Sequence, residues 1–187
     1  GVREIQVTAG LRGQYWGLNG DWFVTPRAQM LYKPLNIRKD ISYRLATGLY
    51  YQPPFYRELR RLDGLVNTGV QAQKSAHAVG GFTYDFLWGK RRPVKMRLIT
   101  EAYYKQMWDL VSYDLDNVRI RYAGANNSRG YATGIDVRLN GEFVKGAESW
   151  VNLSLLRTRE AIDGIQHQVR NLGDLEGRTV KDVPRPT

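Results

Sequence analysis

AQKSAHAVGGFTYDF (72–86), the link LWGKRRP (87–93) and VKMRLITEAYYK (94–105) decide how this chain folds. In the first run Ala76, Ala78, Gly80, Phe82, Tyr84 and Phe86 share one side of an extended backbone. Ser75, His77, Val79, Gly81, Thr83 and Asp85 share the other. In the second run Met96, Leu98, Thr100, Ala102 and Tyr104 oppose Arg97, Ile99, Glu101, Tyr103 and Lys105. A period of two is the mark of a strand with one apolar and one polar side. Ordinary strands run about five or six residues, whereas a tilted crossing of a bilayer takes about 9–11. Both runs are of the longer kind, which predicts a transmembrane barrel hairpin.

The same pattern recurs along the chain. Glu4–Trp16 alternates, turns at Leu18-Asn19-Gly20-Asp21 (Asn-Gly being a strong hairpin signal), and returns as Val24–Lys33. Pro26 has no amide donor, so it marks a bulge or a weaker strand there. Ile41–Tyr51, Tyr131–Asn140 and, less cleanly, Ser149–Thr158 complete seven predicted strands. Links after Lys33, Phe86 and Asn140 are short. Those after Tyr51 (52–71), after Lys105 (106–129) and after Thr158 (159–187) are long, and the tail is expected to hold no further strand. Short turns on one rim and long loops on the other are the habit of outer-membrane barrels.

Composition narrows the alternatives. A mean hydropathy of −0.49, with no apolar run near eighteen residues, excludes a membrane-spanning helix but not a barrel, whose inner face is polar. The net charge of +10 raises nucleic acid as a partner. Yet Arg12, Arg27, Arg44, Arg97 and Arg138 each stand alone on a polar strand face, and only Arg57-Arg60-Arg61 and Lys90-Arg91-Arg92 cluster. No nucleic-acid partner is therefore expected. The absence of Cys leaves disulfides and thiolate metal sites out. GVREIQV already reads as strand, so no leader is expected within this sequence.

Rings on the apolar sides fall into two groups. Oriented by the links, Tyr15, Tyr51, Tyr104 and Tyr131 lie at the outer ends. Tyr32, Tyr43, Tyr84, Phe86 and Phe143 lie at or near the inner ends, with aliphatic and small residues between. Two lipid-interface girdles around an apolar band are expected. LATGLYYQPPFYREL (45–59), AQKSAHAVGGFTYDF (72–86), TEAYYKQMWDLVSYDLDNVRIRY (100–122) and SRGYATGIDVRLNGEF (128–143) together resemble the barrel portion of TonB-dependent outer-membrane receptors. That resemblance implies an all-β, antiparallel up-and-down transmembrane barrel of about 22 strands around a globular plug. Residues 1–187 would be one internal piece of that barrel domain, seven long strands, without plug or final strands. It implies active import across the outer membrane of a siderophore, glycan or peptide. The implied partners are outer-membrane lipid, the protein's own plug, an energy-coupling protein and a surface lipoprotein.

Candidate ligand contacts follow from the long segments. Tyr50, Gln52, Phe55, Tyr56, Arg57 and Arg60 surround the Pro53-Pro54 pair, which presents rings and cations on a preset backbone. The competing reading is that Phe55 and Tyr56 pin this loop to the barrel wall. Trp108, Tyr113, Asp114 and Asp116 form a second candidate group, although VRIRY (118–122) reads as a hairpin extension above the membrane. The Asp114-x-Asp116 spacing lacks the other oxygen ligands of a calcium loop, so no metal is expected, nor any cofactor. Arg12, Arg27, Arg44, Glu101, Lys105, Asp136 and Arg138 are expected to face the lumen or plug. His77 and His167 have no catalytic partner nearby in sequence, and no nucleophile, metalloprotease or phosphate-loop motif occurs, so the chain is not expected to be an enzyme. Asn126-Asn127-Ser128 matches a glycosylation sequon of no meaning in a bacterial outer membrane. A soluble β-sandwich or carbohydrate-binding module, and a passive or adhesive barrel, are the alternatives.

Overall fold

The computed structural model describes residues 3–35, 39–61, 63–90, 93–144, 146–163, 167–168 and 180–181. Among them there is no helix. The elements are β1 (Arg3–Trp16), β2 (Asp21–Pro34), β3 (Asp40–Gln52), β4 (Gln73–Trp88), β5 (Val94–Asp116), β6 (Arg119–Val144), β7 (Ala147–Ile162), β8 (His167–Gln168) and β9 (Val180–Lys181). Strands β1 to β7 form one antiparallel up-and-down sheet in chain order, open at β1 and β7. The seven predicted strands are all present, and each is longer than its alternating core.

Two sequence readings need correction. Residues 106–129, read as a long link with a hairpin extension only at VRIRY, are strand on both sides of a two-residue turn at Asn117 and Val118: the extension is present, and β5 and β6 pair through the rest as well. Asn117 takes φ 55°, a left-handed conformation that Asn tolerates better than most residues. Secondly, β7 runs past Thr158 to Ile162, and the tail carries the short pair β8–β9. Pro26, read as a bulge or a weaker place in the strand, lies inside β2. Its ladder with β1 is unbroken at Leu11↔Pro26, while the ladder with β3 stops at Arg27↔Gly48. The missing donor thus coincides with loss of pairing on one side only.

The register unites the seven apolar sides into one face. A central row runs Val7, Met30, Leu45, Gly80, Ala102, Ile135, Leu155, each residue opposite the next across every ladder. The parallel row on the other face is Gln6, Leu31, Arg44, Gly81, Glu101, Asp136, Ser154. A slip of one residue in any strand would turn that strand's apolar set to the wrong side. No slip occurs through these rows.

The apolar face is left exposed. Val7, Leu45, Ile135 and Leu155 are 66%, 52%, 48% and 63% exposed, and no second layer of described residues covers them. The buried cluster is instead Leu59, Val70 and Val111, with Trp16 and Tyr122 packed against it, at the long-loop end of the sheet. Apolar burial therefore fixes the loops, not the apolar face.

On the polar face Arg44 and Glu101 form an ion pair although β4 lies between their strands. Gly81 is the β4 residue between them. A Cβ on Gly81 would lie 2.4 Å from the Thr100 carbonyl oxygen and 3.0 Å from Glu101 Cγ. Gly81→Val is therefore expected to destabilise the sheet by about 1–3 kcal/mol through overpacking, and to part the ion pair. Gly13→Ala, where nothing lies within 4 Å, should change little. Urea midpoints of the two variants check this, and equal midpoints would refute the role given to Gly81.

Candidate functional site

The long-loop end is built from the link between β3 and β4 (residues 53–72) and the upper part of the β5–β6 hairpin. Two irregularities prepare the hairpin. Register shifts between Met107 and Tyr113 bend β5, and Asp109 sits at φ 56°. Bulges of this kind re-aim side chains and end regular pairing. Asn126 then ties the two segments together. Its amide Nδ2 donates to the carbonyls of Gln71 (3.0 Å) and Asp109 (2.6 Å), and its Oδ1 accepts from the Gln71 amide (2.7 Å). Asn67 donates to the Gly124 carbonyl at 3.0 Å. Gly124, at φ 66°, lets the loop come close, since a Cβ there would lie 2.9 Å from the Arg61 backbone nitrogen.

The loop is also anchored from within. Glu58, 8% exposed, accepts from the Phe55 amide (2.7 Å) and from Gln73 Nε2 (3.1 Å), which closes the turn after the two prolines. Leu59 and Val70 enter the buried cluster. These residues do the pinning that the sequence assigned, as one alternative, to Phe55 and Tyr56. Those two rings are 62% and 68% exposed.

The site predicted around Pro53-Pro54 is thus presented on an ordered frame. Arg57 Nε donates to the Tyr56 hydroxyl at 3.0 Å, and its guanidinium lies 5.7 Å from the centre of that ring. That hydrogen bond, with the tyrosine's charge interaction, holds the Arg57 guanidinium above its ordinary pKa. Arg60 is exposed, its backbone bridged to Val66. Gln52 is exposed at the end of β3, opposite Gln73. Tyr50 belongs to the polar face, where its ring lies 4.5 Å from His77. His77 in turn bonds Ser75 at 3.0 Å.

The second predicted group is dispersed. Trp108 shares a cross-strand row with Lys74 and Tyr51 on the apolar face. Tyr113 packs on Tyr122 at 6.2 Å further up the hairpin. Asp114 accepts from the Leu115 amide at 2.8 Å and sits opposite Arg121. The Asp116 side chain and that of His167, like Arg91 and Arg92, lie outside the described residues. Val118, at the hairpin tip, is 96% exposed.

Arg12, Arg27, Arg44, Glu101, Lys105, Asp136 and Arg138 share the polar face, as predicted from alternation. They are less isolated than the sequence implied. Arg44 pairs with Glu101, Arg138 donates to Asn140 at 2.9 Å, and Arg97 makes a two-pronged bond to Asp85 at 2.6 and 2.8 Å. A hollow of about 550 Å³ lies over this face, lined by Leu31, Arg44, Thr83, Glu101, Arg138 and Ser154 among others. The rings of the apolar face pack in two groups. Tyr15–Trp22 (5.1 Å) and Tyr104–Tyr131 (6.1 Å) lie towards the long-loop end, whereas Tyr51 stacks at 5.4 Å on Phe23, which the β1–β2 register places on the polar side. Tyr32–Tyr43 (6.0 Å) and Tyr84–Phe86 (5.1 Å) lie towards the short-turn end.

What sequence reading missed is the frame itself: Glu58, Leu59, Asn67, Val70 and Asn126. Asn126 and Gln71 are 55 positions apart, and only the sequon at Asn126 drew notice, for another reason. Comparison with protein-family models, curated proteins and solved structures finds no match to this chain.

Proposed function

We propose that this chain is part of the wall of an outer-membrane β-barrel of the TonB-dependent receptor type, which captures a scarce ligand at its long-loop end and imports it. The observation that carries the reading is the continuous, exposed apolar face, bounded at both ends by packed rings and left uncovered by the buried cluster. An aliphatic face flanked by aromatic residues suits hydrocarbon between two interfaces. In a bilayer the open edges of β1 and β7 would require pairing with further strands, which a barrel of about 22 supplies. The polar face, with its paired charges and hollow, would then meet the plug that the energy-coupling protein moves.

Ligand capture falls to Phe55, Tyr56 and Arg57, exposed on a loop that Glu58, Leu59 and Val70 hold in place. Two rings and a cation can stack on and neutralise an aromatic chelator, or stack on a sugar. Binding of a ferric catecholate, an oligosaccharide and a short peptide to the lipid-reconstituted protein tests this. At least one should bind, and Phe55→Ala with Tyr56→Ala should weaken it by about 1–3 kcal/mol with folding intact. Lys39→Ala, at the opposite end, should leave binding unchanged. A folded double variant that binds like the parent would remove the loop from the site.

A further inference from the structure

Charge on the apolar face is not arranged as on the polar face. The acidic residues Asp85, Glu101, Asp136 and Glu160 all hold polar-face positions. Lys74, Arg129, Arg157 and Arg159 hold apolar-face positions, all in the half of the sheet nearer the long loops. Lys74 is neutralised by Asp109 at 2.6 Å. Arg129, Arg157 and Arg159 are exposed, and no carboxylate among the described residues pairs with them. They form a compact group: Arg159 is directly opposite Tyr131, Arg157 is opposite Thr133, and Arg129 is two residues from Tyr131 on the same side.

The group sits where ring and aliphatic surfaces meet. Tyr131 packs on Tyr104, and from Arg157 the same side of β7 continues through Leu155, Leu153 and Val151, 63%, 57% and 61% exposed. Three uncompensated guanidinium groups at the border of an apolar surface complement a molecule with clustered negative oxygens at one end and hydrocarbon at the other. Guanidinium binds phosphate through paired N–H donors better than a point charge does. Nucleic acid would meet the cations but not the aliphatic strip. We propose that Arg129, Arg157 and Arg159 hold the phosphorylated headgroup of an anionic lipid, with its acyl chains along Leu155, Leu153 and Val151.

This rests on the membrane reading, and one experiment separates the two. The complete barrel that contains this chain is reconstituted in nanodiscs of phosphatidylcholine with about 10% cardiolipin, whose headgroup carries two phosphates. It is then extracted in mild detergent, and retained lipid is counted by native mass spectrometry. Cardiolipin should be retained over phosphatidylcholine by about tenfold or more. The triple variant Arg129→Gln, Arg157→Gln, Arg159→Gln should lose that preference, while the three Lys replacements keep a good part of it. The charge-matched polar-face triple Arg12→Gln, Arg27→Gln, Arg138→Gln should behave like the parent, and millimolar inorganic phosphate should not displace the lipid. Equal retention of both lipids, or equal loss in the polar-face triple, overturns the lipid site and leaves the membrane reading standing. Failure to enter nanodiscs at all overturns both.

Discussion

Ile135→Arg should destabilise the bilayer-inserted protein by about 2–4 kcal/mol, the expected penalty for a cation near the midplane on the lipid side of a barrel. Ile135 lies in the central apolar row between Ala102 and Leu155, away from the rings at either end. Its side chain is 48% exposed, so in water the same replacement would fall within about 0.5 kcal/mol of neutral. The size of the effect therefore distinguishes a hydrocarbon surrounding from an aqueous one. Ser154→Arg, in the matching row of the polar face beside Asp136, should lie within about 0.5 kcal/mol of the parent. Urea titration in vesicles, followed by tryptophan fluorescence, gives both numbers. Equal, small effects would contradict the placement of the apolar face in lipid.

Asn126→Ala should loosen the long-loop end by about 2–3 kcal/mol and leave the sheet below it intact. The estimate takes three hydrogen bonds at about 1 kcal/mol each, partly recovered where water can reach Gln71. It also removes the partner of the Asp109 carbonyl, at a backbone conformation that itself costs about 1 kcal/mol or more. The readouts are local: faster amide exchange at Gln71 and earlier proteolysis within residues 53–72. Asn126→Asp keeps the acceptor for the Gln71 amide and loses both donated bonds, so it should fall between the parent and the alanine variant. Unchanged exchange at Gln71 in the alanine variant would mean that Leu59 and Val70 hold the loop unaided.

The strands were legible because a two-sided sheet writes a period of two into every strand, and a register slip would be visible as a mixed face. The β5–β6 extension was legible only at VRIRY, because three register shifts between Met107 and Tyr113 interrupt the phase and make the rest look like loop. Asp114 and Trp108, assigned to one loop, consequently sit in different surroundings. The lone appearance of Arg44 has a similar origin: its partner Glu101 is two strands away, and only the register and Gly81 bring them together. Exposure of Phe55 and Tyr56 followed from the prolines beside them, whereas the anchoring of their loop by Asn126 depends on a contact that spans 55 positions.

The central claim is that hydrocarbon covers the apolar face and water the polar one. Spin labels at Ala78, Leu98 and Ile135, compared with labels at Thr83, Ile99 and Asp136, test it residue by residue on β4, β5 and β6. In bilayers the first three should collide with oxygen and be shielded from a water-soluble nickel chelate, and the second three should show the reverse. Equal access of the chelate to both sets would contradict it.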